Sequence, residues 1–297
     1  MTMLRNLDRP FSALLLCATI AAGCSSGESS AGGPEPQIAP ATTSGAETPA
    51  PLAQVEGKEV VYEANGTQLK GFIAYPANAT GKRPGVLVIH EWWGHTDYVR
   101  MRAQKLAELG YVALALDMYG EGKQAAHPED ATKMMMEVMG NLEVATKRFG
   151  AAKALLESDP RTDATRIAAV GYCMGGAVAL NMGRAGTDLD AIAVFHGNLA
   201  TQQPMAAGAY KGKILVASGG ADPFVSPAQV QAFEKEMQAA GADYKLDLYP
   251  NAKHAFTNPA ATENGEKFKI PLAYDAQADA ESWKKLEELL AQVWPAS

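Results

Sequence analysis

The sequence predicts an α/β domain with a mostly parallel central sheet and helices on both faces. Short continuous apolar runs, such as residues 86–90 and 213–218, are typical of strands that are buried on both faces. Stretches with helical spacing of apolar residues separate these runs, and this alternation favours parallel pairing through crossover helices. Residues 54–297 are long enough for one such domain with a sizeable core.

The first predicted elements form a hairpin. Residues 58–62 and 69–75 are predicted strands, and Asn65 and Gly66 between them favour a tight turn. Residues 119–140 are predicted to be a loop followed by a methionine-rich helix, a composition typical of adaptable packing. The other predicted strands span 86–90, 111–117, 166–172, 191–195, 213–218 and 245–249, and the other predicted helices span 97–109, 141–158, 227–239 and 275–293.

The strand over 166–172 leads into Gly171-Tyr-Cys-Met-Gly175, after which a helical pattern begins. This order indicates a nucleophile elbow, a sharp turn that holds its central side chain in a strained backbone conformation. Glycines two residues to either side of Cys173 remove side chains that would collide there. The helix N-terminus also favours a thiolate or an oxyanion beside the sulfur. Cys173 is therefore the candidate nucleophile, and the alternative is a buried, inert cysteine in a small-residue turn.

A thiol nucleophile needs a base and a third group that orients the base. Asp222 and His254 each follow a predicted buried strand, at the strand ends where open α/β sheets bind ligands. The chain order Cys173, Asp222, His254 is the order of nucleophile, acid and histidine in the α/β-hydrolases. A helix-capping aspartate and a surface-turn histidine are the alternatives for the two residues taken singly. We expect His196, which precedes the acid, to pack or to form a pocket wall.

An oxyanion hole needs two N–H donors aimed at the developing negative charge. Met174 N–H, directly after the nucleophile, is the first candidate, and Trp92 N–H, in the loop after an earlier buried strand, is the second. A carboxylate at Glu91 would repel an oxyanion, so we expect it to turn away in a salt bridge or to handle a proton near the thiol. His90 and Glu91 also begin a zinc-protease motif, but its second histidine would fall at Gly94, so no metal site is predicted.

The N-terminal residues have the composition of an export signal. Arg5 and Arg9 precede an apolar run over residues 11–22, which is too short to cross a bilayer. Small residues before Cys24 resemble a bacterial lipobox, so residues 1–23 are predicted to be a signal peptide and Cys24 to be lipidated. By the same resemblance, the serine after Cys24 indicates the outer membrane of a Gram-negative cell. The alternative is ordinary cleavage that gives a soluble periplasmic or secreted protein.

Residues 24–53 are almost all Ser, Gly, Ala, Pro, Thr and Glu, which predicts a flexible tether before the catalytic domain over 54–297. We expect the domain to face the periplasm, with the lipid anchor as its only membrane contact. The formal net charge of −7 argues against nucleic acid as a partner. With Cys17 in the signal and Cys24 lipidated, Cys173 has no cysteine partner within the chain, so it is either inert or kept for its reactivity.

The domain from about residue 55 resembles the dienelactone hydrolase family, a branch of the α/β-hydrolases with a cysteine nucleophile. The resemblance rests on five segments, His90-Glu-Trp-Trp-Gly94, Leu116-Asp-Met-Tyr119, Gly171-Tyr-Cys-Met-Gly-Gly176, Gly220-Ala-Asp222 and His254-Ala-Phe256. It implies a triad of Cys173, Asp222 and His254 that needs no cofactor. It also implies that Glu91 holds the resting thiol and takes part in its deprotonation when substrate arrives.

One departure from the family concerns the substrate. Dienelactone carries a carboxylate, which the enzyme named for it binds with arginines, one of them just after the catalytic histidine. Here His254 is followed by Ala-Phe-Thr-Asn-Pro, without an arginine, and Lys133 is the candidate replacement cation. The reaction class survives this departure, whereas dienelactone itself is in question as the substrate.

These observations predict hydrolysis of a small-molecule ester or lactone through a thioester acyl-enzyme, by a monomer. The predicted substrate-pocket residues are Trp93, Tyr119, Lys133 and Phe256. A lipid-anchored module that binds a ligand without turnover is an alternative of a different class, because a fold does not ensure a function. Thiol redox chemistry at Cys173 is a third possibility, but it lacks the usual second cysteine.

Overall fold

The computed structural model describes residues 54–295. In chain order, the strands are β1 Val55–Ala64, β2 Thr67–Pro76, β3 Arg83–Ile89, β4 Val112–Leu116, β5 Thr162–Tyr172, β6 Ala191–Phe195, β7 Lys213–Gly219 and β8 Asp243–Tyr249. The helices are α1 Asp97–Glu108, α2 Pro128–Met139, α3 Leu142–Ser158, α4 Met174–Arg184, α5 Pro227–Ala240, α6 Ala261–Phe268 and α7 Ala276–Val293. The predicted signal peptide, the lipidation site at Cys24 and the whole predicted tether lie outside the described residues.

The strands form an eight-stranded sheet in the order β1-β2-β4-β3-β5-β6-β7-β8. Only β2 pairs antiparallel, with β1 and with β4, and all other neighbours are parallel. The predicted mostly parallel sheet is therefore confirmed. Asn65 and Gly66 join β1 to β2 with φ values of 53° and 74°, the left-handed conformations that a tight hairpin turn requires.

The core lies on both faces of the sheet. Leu87 and Ile89 of β3 belong to one apolar cluster, with residues of α3, α4 and α5, whereas Val86 and Val88 belong to another, with residues of α1 and α7. Successive side chains of a strand point to opposite faces. A strand covered by helices on both faces must therefore be apolar throughout, which explains the continuous apolar run in the sequence.

The candidate site residues follow strands that end at the same edge of the sheet. β3 pairs parallel with β5, and Ile89 lies opposite Gly171 in the register. The residues that follow, Glu91 on one strand and Cys173 on the other, therefore emerge side by side at the carboxyl edge of the sheet. β7 and β8 end at the same edge and precede Asp222 and His254.

The helix α6 was not predicted from the sequence. It contains Gly265, which weakens a helix, and it has few apolar residues. A Cβ on Gly265 would lie 2.4 Å from Leu272 O, so this helix packs closely against the segment that directly follows it. Among the helices within 54–295, none combines the length and the apolar character needed to cross a bilayer.

Candidate active site

The predicted elbow forms where β5 ends and α4 begins. Cys173 has φ 54° and ψ −116°, a backbone conformation that costs a non-glycine residue about 1–3 kcal/mol. A Cβ on Gly171 would lie 2.1 Å from Gly175 O, and a Cβ on Gly175 would lie 2.4 Å from Ile89 O. Close backbone packing therefore fixes the turn, and it holds the Cys173 side chain half-buried at the edge of the sheet.

Cys173, His254 and Asp222 form a continuous hydrogen-bonded chain. His254 Nε2 lies 3.1 Å from Cys173 Sγ, and His254 Nδ1 lies 2.8 Å from Asp222 Oδ2. Phe224 N–H donates to Asp222 Oδ1 at 2.8 Å and holds the carboxylate in place. An ionised carboxylate only accepts hydrogen bonds, so Nδ1 carries a proton and Nε2 faces the sulfur. This is the geometry of a nucleophile, its base and the acid that orients the base.

The imidazole of His254 has a perturbed pKa. Burial lowers the pKa, but the negative charge of Cys173 and the hydrogen bonds with Asp222 and Cys173 outweigh burial and raise it to about 10. A proton on His254 is therefore stabilised when the sulfur is anionic. The arrangement can hold a thiolate next to an imidazolium, which is the reactive form of a thiol nucleophile.

The two predicted oxyanion donors are both free. Neither Met174 N–H nor Trp92 N–H has a backbone or side-chain acceptor among residues 54–295. Met174 N–H is at the first turn of α4, where the helix leaves its N–H groups unpaired. Trp92 lies in a turn closed by the Gly94 N–H to Glu91 O hydrogen bond of 3.1 Å. Two unpaired N–H groups at adjacent strand ends can bind a developing negative charge.

The side chain of Glu91 is buried, with 3% of its surface exposed. Its Oε2 accepts a hydrogen bond from Asn258 Nδ2 at 2.6 Å, and its Oε1 has no partner. Burial raises the pKa of Glu91 to about 7, against the lowering effects of Asn258, His254 and Arg102. The resemblance implied that Glu91 holds the thiol. In the structure, however, the thiol pairs with His254 and the Glu91 carboxyl pairs with Asn258, so the expected contact with the resting thiol is wrong, whereas a part of Glu91 in the deprotonation stays a prediction.

His196 and Asn258 make contacts in the site that the sequence did not predict. His196 Nδ1 accepts a hydrogen bond from Cys173 N–H at 3.1 Å, and His196 Nε2 lies 2.8 Å from Thr257 Oγ1. Asn258 holds Glu91. The position of Asn258 four residues after His254 was the available signal, because the same helix-free segment after β8 brings both residues to the edge of the sheet.

The predicted pocket residues have different environments. Phe256 is fully buried and packs against the rings of Tyr249 and His196, so it is a core residue and not part of a pocket wall. Tyr119 is 4% exposed, and its hydroxyl donates to Trp92 O at 2.9 Å. The remaining predicted pocket residues are Lys133, which is exposed on α2, and Trp93, which lines a cleft of about 320 Å³ with Asn258 and Phe268.

No group of three or more His, Cys, Asp or Glu side chains within 54–295 is arranged to hold a metal ion. The mostly parallel sheet, with an elbow after its central strand and residues contributed by later strand ends, defines an α/β-hydrolase.

The chain belongs to the dienelactone hydrolase family, whose family model matches residues 69–294. It is 29% identical to an Aquifex aeolicus protein named "Putative carboxymethylenebutenolidase", over 77% of this chain and 95% of that protein. Among solved structures, m3DLH is 35% identical with a TM-score of 0.76, over 80% of this chain and 98% of that chain. A dienelactone hydrolase-like promiscuous phosphotriesterase from metagenomic libraries is 33% identical, with a TM-score of 0.76 over the same shares.

Proposed function

We propose that this hydrolase cleaves an uncharged ester or lactone through a thioester on Cys173. The observation that carries the proposal is the hydrogen-bonded chain from Asp222 through His254 to the sulfur, on an elbow with φ 54° at Cys173. A buried inert cysteine would need neither a histidine at 3.1 Å nor a strained backbone. Membership of a hydrolase family supports the same reaction class.

In the acylation step, Cys173 Sγ attacks the carbonyl carbon while the thiol proton moves to, or already resides on, His254 Nε2. The carbonyl oxygen becomes an oxyanion that receives hydrogen bonds from Met174 N–H and Trp92 N–H. The bond between carbon and the leaving oxygen then breaks, and His254 gives its proton to that oxygen. The alcohol leaves, or stays tethered when the substrate is a lactone, and a thioester remains on Cys173.

In the second step, His254 takes a proton from a water molecule that attacks the thioester carbon. The same two N–H groups hold the second oxyanion. The bond between carbon and sulfur breaks, the acid is released, and the sulfur leaves as a thiolate that pairs with protonated His254. Asp222 keeps the imidazole in the useful tautomer throughout both steps.

The charges of the site favour an acyl group without a carboxylate. Glu91 and Asp222 both place carboxyl groups at the site, and the donor to Glu91 is the neutral amide of Asn258. The buried cation Arg102 is occupied, because its Nη2 donates to Asp279 Oδ1 at 2.6 Å and to a backbone carbonyl. A matched pair of substrates tests this choice: 4-nitrophenyl butyrate should be hydrolysed faster than the anionic 4-nitrophenyl hemisuccinate of similar size, and the reverse preference would contradict it.

Phosphotriester hydrolysis is a second candidate activity. The 33% identity with a promiscuous phosphotriesterase over 80% of this chain favours it. The proposed site offers what the reaction needs, namely an activated nucleophile and two N–H donors for a phosphoryl oxygen. Release of 4-nitrophenol from paraoxon, lost in Cys173→Ala, would support this activity, and single-turnover release would indicate only a trapped phosphoryl-enzyme.

We propose export and lipidation at Cys24, with the domain facing the periplasm. The support is the composition of residues 1–53. Growth with radioactive palmitate should label the wild-type protein and leave Cys24→Ser unlabelled. Equal labelling of both proteins, or of neither, would contradict lipidation at this residue.

The hydrolase proposal is tested by the initial rate of 4-nitrophenyl acetate hydrolysis. Removing the nucleophile should lower kcat by several orders of magnitude, about 10⁶-fold in the best-characterised triads. Cys173→Ala should therefore be inactive, whereas a control substitution at an exposed site, Glu266→Gln, should leave the rate unchanged. If Cys173→Ala is as active as the wild type, Cys173 is not the nucleophile. If the wild type is inert towards esters, lactones and paraoxon, the ligand-binding alternative is favoured.

A further inference from the structure

His90 is a fully buried histidine that the proposed reaction does not use. Its Nδ1 lies 2.6 Å from Glu91 O, and its Nε2 lies 3.1 Å from Met118 N. A carbonyl oxygen only accepts hydrogen bonds and a backbone N–H only donates, so the two partners define the ring. Nδ1 must carry the proton and donate to Glu91 O, and unprotonated Nε2 must accept from Met118 N–H. Both nitrogens are satisfied only by this neutral tautomer.

The carbonyl that His90 holds belongs to the peptide group that carries Trp92 N–H. Glu91 O accepts from His90 Nδ1–H and also from Gly94 N–H at 3.1 Å. A trans peptide is planar, with its C=O and N–H pointing in opposite directions. Fixing Glu91 O with two donors on one side therefore fixes the direction of Trp92 N–H on the other. We infer that His90 is the positioning residue that aims Trp92 N–H at the oxyanion, an inference that rests on the function proposed above.

The loop that holds His90 from the other side of its ring is itself well ordered by hydrogen bonds. Met118 N–H belongs to the loop after β4, in which the Asp117 carboxylate accepts hydrogen bonds from the backbone N–H groups of Lys70, Tyr119, Gly120 and Gly122. Tyr119 packs edge-on against the His90 ring, with the ring centroids 4.8 Å apart. Its hydroxyl donates to Trp92 O, so the next peptide group is held as well. His90 thus transmits the order of the β4 loop to the peptide group before Trp92.

The ring stays neutral in the working range of pH. Burial lowers the pKa of His90 to about 4, although the hydrogen bond to Glu91 O and the charge of Asp117 act in the opposite direction. A neutral ring is needed because a second ring proton would face Met118 N–H. Asparagine can place an amide N–H close to the Nδ1 position, whereas leucine has no donor.

The test separates orientation of the donor from general packing. Sulfur is a poor acceptor, so the thiono analogue of 4-nitrophenyl acetate, in which sulfur replaces the carbonyl oxygen, gains little from an oxyanion hole. Removing one donor typically costs about 10²–10³ in kcat. His90→Leu should therefore lose about 10²-fold or more on the oxygen ester and much less on the thiono ester, with KM nearly unchanged. His90→Asn should recover part of the loss.

The matched control is His95→Leu. His95 is equally buried in the same loop, but its hydrogen bond goes to Ala115 O in β4 and not to the Glu91 carbonyl. This variant should lose comparable thermal stability and keep the wild-type ratio of oxygen-ester to thiono-ester rates. An unchanged ratio in His90→Leu overturns the inference. If Cys173→Ala is as active as the wild type, the proposed function itself fails, and the two failures are therefore distinguishable.

A measurement on the wild type covers the case in which His90→Leu does not fold. Nitrogen-15 spectra of the histidine rings should assign to His90 a neutral ring protonated at Nδ1 at neutral pH. A ring protonated at Nε2, or at both nitrogens, would overturn the inference, because neither form can donate to Glu91 O and accept from Met118 N–H.

Discussion

The two sides of the candidate site are held in place by different physical means. On the nucleophile side, Cys173 is fixed by backbone contacts so close that a methyl group on Gly171 or Gly175 would not fit. On the opposite side, the loop after β3 is fixed by side-chain hydrogen bonds from distant segments, with Asn258 on Glu91 and Tyr119 on Trp92 O. A sterically fixed turn presents the reacting atom. A loop fixed by hydrogen bonds can instead set the charge of the Glu91 carboxyl and the direction of Trp92 N–H beside that atom.

Among substitutions of residues other than the proposed nucleophile, the largest loss of activity should come from Asp222, the group proposed to orient the base. Asn at position 222 would donate to His254 Nδ1 and leave the imidazole in the wrong tautomer, which costs about 10⁴ in kcat in a comparable triad. We expect Asp222→Asn to lower kcat by that order with little change in KM. Asp243→Asn, an exposed residue paired with Lys213, is the control and should keep full activity. A loss of less than about tenfold in Asp222→Asn would contradict the assigned role of Asp222.

A methyl group in the elbow should have the next largest effect. In Gly175→Ala the new Cβ would lie 2.4 Å from Ile89 O and 2.7 Å from His90 O, so β3 and α4 must move apart. Overpacking of this kind costs about 1–3 kcal/mol of folding free energy, and a displacement of about 1 Å at the site costs about 10² in rate. Chemical denaturation and ester kinetics measure the two effects. Gly150→Ala is the control, because its added Cβ would meet no atom within 4 Å beyond its chain neighbours and the nearby backbone of its own helix.

Glu91 should make stability depend on pH. Its pKa is raised from 4.5 to about 7 by burial, so the folded state binds more protons than the unfolded state between these values. The free energy of unfolding contributed by Glu91 therefore falls as pH rises through this window. Glu91→Gln lacks this loss, so its stability relative to the wild type should increase from about pH 5 to about pH 8 in urea titrations. If the difference in the free energy of unfolding between Glu91→Gln and the wild type does not change with pH, the pKa of Glu91 is not raised by burial. Glu266→Gln, at an exposed position, is the control.

The smallest effect is expected at Lys133. Its side chain is exposed on α2, and substitutions at exposed positions usually change the free energy of unfolding by less than about 0.5 kcal/mol. Lys133→Ala should therefore change kcat/KM by less than about twofold for both the butyrate and the hemisuccinate ester. A selective loss on the hemisuccinate would restore Lys133 as a substrate-binding cation.

The same contrast explains what the sequence could predict. The elbow was predictable because its cause is local: small residues at fixed spacing between a buried strand and a helix. The order of Asp222 and His254 followed from strand ends that meet at one edge of the sheet. The position of Asn258 near the site was predictable from His254, but its hydrogen bond to Glu91 and that of Met118 to His90 were not, because they join segments far apart in the chain. The helix α6 was missed for a different reason: it is short, contains a glycine and has few apolar residues, so its sequence carries little helical signal.

The pocket prediction for Phe256 was wrong because closeness in sequence to His254 was taken for closeness to substrate, whereas those for Trp93 and Lys133 stay predictions. Phe256 is two residues from His254, but its side chain points into the core. Tyr119 is near the site, yet its hydroxyl is used to hold Trp92 O. Burial and hydrogen-bond partners decide such roles, and neither is encoded in a short motif.

The most direct test of the central claim is to trap the acyl group. Acid quench of the protein during 4-nitrophenyl acetate turnover, followed by proteolysis and mass spectrometry, should find one acetyl group on the peptide that contains Cys173. Hydroxylamine should remove it, because a thioester is labile, and Cys173→Ala should not acquire it. Steady turnover with the acetyl group on another residue, or equal turnover in Cys173→Ala, would contradict the account.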